Sequence, residues 1–209
     1  MATPYTLDLT ATQVNAAVNA AHDSGDPVTA GSSKLVQSGA VYDEVVRQIR
    51  ALTGWANYED ATYTSSSKLT SANARTQLTI DKQGSGTNTD YLPEGVTSLW
   101  DSTENKITPA SVGDAYDLRI DFKIEPQQST DYAEFELDIG SGSPIIIASR
   151  TLTFAKTGAS SFSVGIPIYC LSTFIANGCK MYIDTSGSGD TVHIYDISLT
   201  IKRDFSAVT

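Results

Sequence analysis

The chain has 209 residues, with 14 Lys and Arg against 24 Asp and Glu and a formal net charge of −10. An acidic surface repels phosphates, which argues against nucleic acid and against an anionic membrane surface as partners. No stretch approaches the roughly 20 apolar residues that cross a bilayer, so no membrane insertion is expected. The opening residues Met1 to Leu9 carry neither a basic nor an apolar block, and the reading is that there is no signal peptide.

In chain order, residues 1–54 are rich in Ala, Val, Gln and Ser and carry two short helical signals. Thr10 is placed as an N-cap with Gln13 three residues on, a capping box, and Leu9 and Val14 stand where a hydrophobic staple would close the helix start. Val14, Ala17, Val18 and Ala21 recur at i, i+3, i+4 and i+7 and form one narrow apolar face. The segment Asp23-Ser24-Gly25-Asp26-Pro27 ends it. A second helix is predicted over Ser38–Leu52, with Tyr42, Val45, Ile49 and Leu52 at spacings of 3, 4 and 3. This a/d seam is too short to be stable alone, so it either joins copies in a small coiled coil or packs on its own domain.

From Trp55 onward the pattern changes to strands. These are predicted at 55–64, 76–81, 115–124, 132–139, 145–154, 161–170, 179–185 and 191–202. Leu118, Ile120, Phe122 and Ile124 alternate with Arg119, Asp121 and Lys123, and the same period returns at Phe135/Leu137/Ile139 and Ile197/Leu199/Ile201. Gly84-Ser85-Gly86, Gly140-Ser141-Gly142, Asn177-Gly178 and Gly187-Ser188-Gly189 supply the turns. The predicted fold is mainly β: an antiparallel β-sandwich of the jelly-roll kind over residues 55–209. It follows a short α-helical N-terminal segment at 1–30 and a helical neck at 31–54.

Residue types restrict the chemistry. The two histidines, His22 and His193, and the two cysteines, Cys170 and Cys179, show no metal-ligand spacing. Cys170 and Cys179 flank residues 171–178 and either face each other across a hairpin or lie buried as separate thiols. His22 sits in a polar segment and His193 in an alternating strand, so neither suggests the centre of a Ser-His-Asp triad. Carboxylate pairs such as Asp114/Asp117 and Glu134/Glu136 are unavoidable among so many acids. Asp101-Ser102-Thr103-Glu104-Asn105 offers oxygens without the loop spacing of an EF-hand. No cofactor, no metal and no enzyme activity are expected.

The run Gly31-Ser32-Ser33-Lys34-Leu35-Val36-Gln37-Ser38-Gly39-Ala40-Val41-Tyr42-Asp43 resembles a short segment that recurs in tailed-bacteriophage fibre proteins ahead of a trimeric knob. Thr10 to Ala17 resembles their virion-proximal segments. Tyr91 to Val96 and Leu99-Trp100-Asp101 resemble parts of their jelly-roll heads. The resemblance implies a homotrimer and an outward C-terminal knob. It also implies an N-terminal anchor on another virion protein, of the capsid or tail. The anchor helix would then carry Leu9, Thr10, Gln13, Val14, Ala17 and Val18, and the trimerisation seam Tyr42, Val45, Ile49 and Leu52.

A neck of about 15 helical residues is roughly 20 Å long. That is shorter than the shaft of a long tail fibre, so a short fibre or capsid decoration protein on the virion surface is expected, with the capsid favoured over the tail. Its expected location is the virion surface, after synthesis in the host cytoplasm without a signal peptide. One alternative is a tail-fibre knob that recognises host-surface glycan, with Tyr91, Trp100 and Asp101 as contacts; against it, Trp100 is core and Tyr91 rims a subunit interface. A polysaccharide depolymerase is the third reading, and the carboxylate pairs do not distinguish it.

Overall fold

The computed structural model describes residues 53–127, 132–154, 158–188 and 191–206. The chain divides into two units, Met1–Arg50 and Ala51–Thr209, and the described residues all belong to the second. The expected anchor helix (Leu9, Thr10, Gln13, Val14, Ala17, Val18) and seam (Tyr42, Val45, Ile49, Leu52) lie outside the described residues.

The strands are β1 (Gly54–Glu59), β2 (Leu69–Ala72), β3 (Arg75–Gln77), β4 (Trp100–Asp101), β5 (Lys106–Ile107), β6 (Ala115–Pro126), β7 (Tyr132–Asp138), β8 (Ile146–Thr153), β9 (Ser160–Tyr169), β10 (Lys180–Asp184) and β11 (Thr191–Phe205). A six-residue helix, α1 (Ser172–Asn177), stands between β9 and β10. One sheet runs β1-β11-β6-β9, with β2 also on β11, and the other runs β3-β10-β7-β8. All pairings in these two sheets are antiparallel.

Early strands pair with late ones in nested fashion: β1 and β2 with β11, β3 with β10, β6 with β9, β7 with β8. The second unit is thus one long hairpin rolled into two layers, the jelly-roll path, and the predicted β-sandwich is what forms. The alternation of residues puts Leu118, Ile120, Phe122 and Ile124 of β6 against Ala133, Phe135 and Leu137 of β7 and Met181 and Ile183 of β10, all buried.

β11 carries a break of phase that the period did not signal. Val192 and Ile194 are buried before it and Ile197, Leu199 and Ile201 after it. A bulge between Tyr195 and Ser198, with Asp196 at φ 53°, absorbs the extra residue. The same irregularity divides the partners, β2 pairing below it and β1 above.

One alternative is decided and one expectation is corrected. Of the two arrangements open to the cysteines, the hairpin is not formed, because β9 and β10 belong to different sheets and α1 carries the chain from one to the other. Cys170 and Cys179 are buried free thiols. The strand expected over 55–64 stops at Glu59, where the Asp60 carboxylate accepts hydrogen bonds from the backbone N–H of Tyr63 (2.6 Å) and of Asp81 (3.0 Å) and turns the chain out of the sheet.

Candidate functional site

A two-layer sandwich has two flanks where the sheets end, and here they differ. On the first, β1 and β3 are covered by the protein's own segment 78–107. The backbone N–H of Trp55 donates to Tyr91 O (2.8 Å), and Asn57 and Asn88 exchange two backbone bonds of 2.8 Å. Gln77 Nε2 donates to Asn105 O (2.8 Å) and Trp100 Nε1 to Ile80 O (2.9 Å). The Trp55 and Asn57 bonds occupy the β1 edge, which would otherwise present unpaired donors and acceptors, and the other two hold the segment in place.

The second flank, between β8 and β9, is left open. In register, Ala148, Arg150 and Leu152 of β8 stand opposite Leu137, Phe135 and Ala133, so they share the inward face of that sheet. Only Leu152 is buried there, and Arg150 is exposed. The facing sheet ends at β9 and does not reach over them. Phe154 and Phe162 close one end of the flank edge-to-face at 5.7 Å, continued inward by Phe122 at 5.8 Å from Phe162.

At the other end the flank widens into an apolar groove of about 270 Å³, lined by Ile139, Ile147, Pro167, Tyr169, Leu171 and Phe174. Tyr169 is 70% exposed, and Ile145, Ile146, Ile147 and Leu171 are exposed as well. Asp138 fixes this arrangement. Its Oδ1 accepts from the backbone N–H of Gly140 (2.7 Å) and Ile145 (2.8 Å), and its Oδ2 accepts from Arg75 Nη2 (2.9 Å). Burial alone would raise this carboxyl, but those donors outweigh it and hold it below its ordinary value of 3.8. Asn177 Nδ2 donates to Ile139 O (2.7 Å) and ties α1 to the same groove.

β9 protects its free edge with Gly165 and Pro167, residues that weaken or prevent strand addition. β8 has neither, and three consecutive isoleucines precede or open it. Periodicity predicts a strand here and gives it no role. The signal that marks it is charge: residues 139–183 contain no Asp or Glu, only Arg150, Lys156 and Lys180, so all 24 acids lie elsewhere.

The residues expected to contact glycan do not form one platform. Tyr91 is 57% exposed and stacks on Trp55 at 5.1 Å and 15°. Trp100 is 1% exposed and belongs to the core, so as a sugar contact it is corrected. The Asp101 carboxylate caps its own turn through the N–H groups of Glu104 (3.1 Å) and Thr103 (2.8 Å), which hold it below the usual carboxylate range.

The carboxylate pairs also separate. Asp114 is fully buried, whereas Asp117 is exposed on the outer face. Glu136 is bound by Arg75 Nε at 2.6 Å, and Glu134 is not part of that bridge. His193 Nδ1 meets Thr70 Oγ1 at 3.1 Å on the surface, a local cross-strand contact. Among the described residues no three His, Cys, Asp or Glu side chains cluster as metal ligands. No helix among them is long and apolar enough to cross a membrane.

No family model matches the chain, and no curated protein matches it. Among solved structures, the PRD1 vertex protein P5 aligns at 15% identity over 73% of this chain and 73% of that one, with a TM-score of 0.40. The Eiger TNF from S. frugiperda aligns at 10% identity over 76% of this chain and 96% of that one, TM-score 0.42. A CBM4 structure aligns at 15% identity over 70% and 93%, TM-score 0.35. Likenesses this distant carry no argument about function, and the fold rests on the strand pairing itself.

Proposed function

We propose that this chain is a structural virion protein: a short homotrimeric fibre or capsid decoration protein of a bacteriophage. In this reading the jelly-roll unit is the outward knob, and residues 1–30 anchor it to a capsid or tail protein, the capsid being favoured. The observation that carries the reading is the unfinished flank. A jelly roll that covers one edge with its own loop and leaves the other apolar and exposed, with no Asp or Glu on β8 or β9, is one whose surface is completed by assembly. The fibre-like run at 31–43 supports the viral setting, and the a/d seam at Tyr42, Val45, Ile49 and Leu52 supports threefold association. The role is assembly and display rather than catalysis, and it calls on no cofactor.

The experiment is light scattering on the full chain. Wild type is expected at the mass of three copies and Ile49→Asp at the mass of one, with unchanged mass removing the seam. Antibody labelling of intact virions then decides the mounting place, and unlabelled particles would remove the virion reading.

A second reading, adhesion to host-surface glycan, draws on the Trp55–Tyr91 stack, since an exposed aromatic face suits a sugar ring. A glycan array probed with wild type and Tyr91→Ala tests it. Signal lost in the variant supports adhesion, and an empty array leaves the structural role alone.

A further inference from the structure

The two flanks of the sandwich are opposite in charge as well as in finish. The open flank is built from β8 and β9, within the stretch 139–183 that lacks acids. The closed flank is covered by residues 78–107, which carry Asp81, Asp90, Glu94, Asp101 and Glu104 against Lys82 and Lys106, with Glu104 bridged by Lys106 at 2.6 Å. The geometry points to a head-to-tail contact between copies of this chain, in which the β8–β9 flank of one knob seats against the acidic covering loop of the next. The inference rests on the self-assembly reading and adds which surfaces meet.

Arg150 is the residue that selects this partner. Of the described arginines, Arg75, Arg119 and Arg203 each bridge a carboxylate of their own chain. Among the described residues, Arg150 reaches only the carbonyl of its neighbour Ser149, at 3.1 Å. It stands near the middle of β8, on the inward side of the sheet, where its own segment supplies no acid. A chain with net charge −10 repels its copies, so contact is favoured where the flank that bears Arg150 and no acid on β8 or β9 meets the net-acidic covering segment.

An isologous alternative fails on the same residue. Antiparallel β8-to-β8 pairing would bring two Arg150 side chains together near its centre, and it closes as a twofold pair. A heterologous contact closes into a ring where its rotation allows, threefold in the proposed trimer, and covers the β8–β9 flank of every copy.

The contact is tested on the full chain with Arg150→Glu. At dilutions where both proteins are single copies, the variant should keep the wild-type melting profile. Its trimer should dissociate at a concentration at least about tenfold higher, more so at low salt. Adding Asp90→Lys and Glu104→Lys to it should restore assembly. Hydrogen exchange should show β8 amides protected in the wild-type trimer and released on dilution.

If the wild type is monomeric throughout, the self-assembly reading fails and this inference with it. Suppose the wild type is trimeric but Arg150→Glu dissociates no earlier, or the β8 amides exchange freely in the trimer. Then the inference alone is overturned, and the flank is open to another occupant such as a host-surface ligand. Growth of Arg150→Ala beyond three copies would also overturn it, since Arg150 would then be an edge guard against strand addition.

Discussion

Asp114 has no solvent exposure and Arg203 very little, and the two approach at 3.5 Å near the ends of β6 and β11. Tyr116 Oη donates to the Asp114 carboxylate at 2.9 Å and accepts from the backbone N–H of Ala110 at 3.0 Å. Removing one member of a buried charged pair leaves the other desolvated. Asp114→Ala should therefore cost about 3–5 kcal/mol, read as a fall of roughly 10 °C or more in melting temperature.

Burial pushes the Cys170 thiol up to about 12, with the Asp114 charge adding to it, and burial raises Cys179 as well. Both should resist alkylation at neutral pH until the knob unfolds, because the thiolate is the reactive form. Labelling of the folded protein would show a path to the thiols that the structure does not contain.

Asp138 shows how one residue serves an element. Its folded value lies below the ordinary 3.8, so its stabilisation is present above that value and is lost as pH falls through the lower, folded value. The melting-temperature gap between wild type and Asp138→Asn should be wide at pH 6 and should shrink below about pH 3.8. A gap constant with pH would mean that the ionised form is not what holds the Gly140–Ile145 connection.

At the scale of elements, connections decide which edges close. Gly178 ends α1 at φ 73° and ψ −172°, a region almost confined to glycine. A Cβ there would lie 2.8 Å from Ile107 O. The turn is tight because Ile107 and Cys179 exchange two backbone bonds, of 2.7 and 3.0 Å, that join the covering segment to β10. Gly178→Ala should cost about 1–3 kcal/mol, measurable by denaturant unfolding, with the covering segment the first region to lose exchange protection.

On the outer face of the four-stranded sheet, Arg75 lies over the Tyr182 ring at 3.6 Å and reaches across β10 to Glu136 and Asp138 on β7. Desolvation works against the charged guanidinium, but its two carboxylate partners outweigh that and raise it above its ordinary value. Lys lacks the planar fork that engages both acids at once.

For the molecule as a whole, the jelly-roll unit has its own core, from Tyr58 on β1 to Ile201 on β11. A fragment of residues 55–209 should therefore melt cooperatively without the first 54 residues. It should also fail to attach to particles if, as proposed, residues 1–30 are the anchor. Retained attachment would move the anchor into the knob.

Strand alternation by itself determined the sandwich. Leu118 to Ile124, Phe135 to Leu137 and Ile197 to Ile201 state their buried faces through a period of two, a local property of the chain. The tertiary structure decided what depends on distant partners. It placed Trp100 in the core because Ile80 O lies where the indole N–H can reach it, and it broke the cysteine hairpin because β9 and β10 fall in opposite layers. It also left Arg150 of β8 exposed, because β8 and β9 are both edge strands and no further strand covers that flank. Periodicity tells which side of a strand is apolar; only the nested pairing tells whether anything in the same chain is there to cover it.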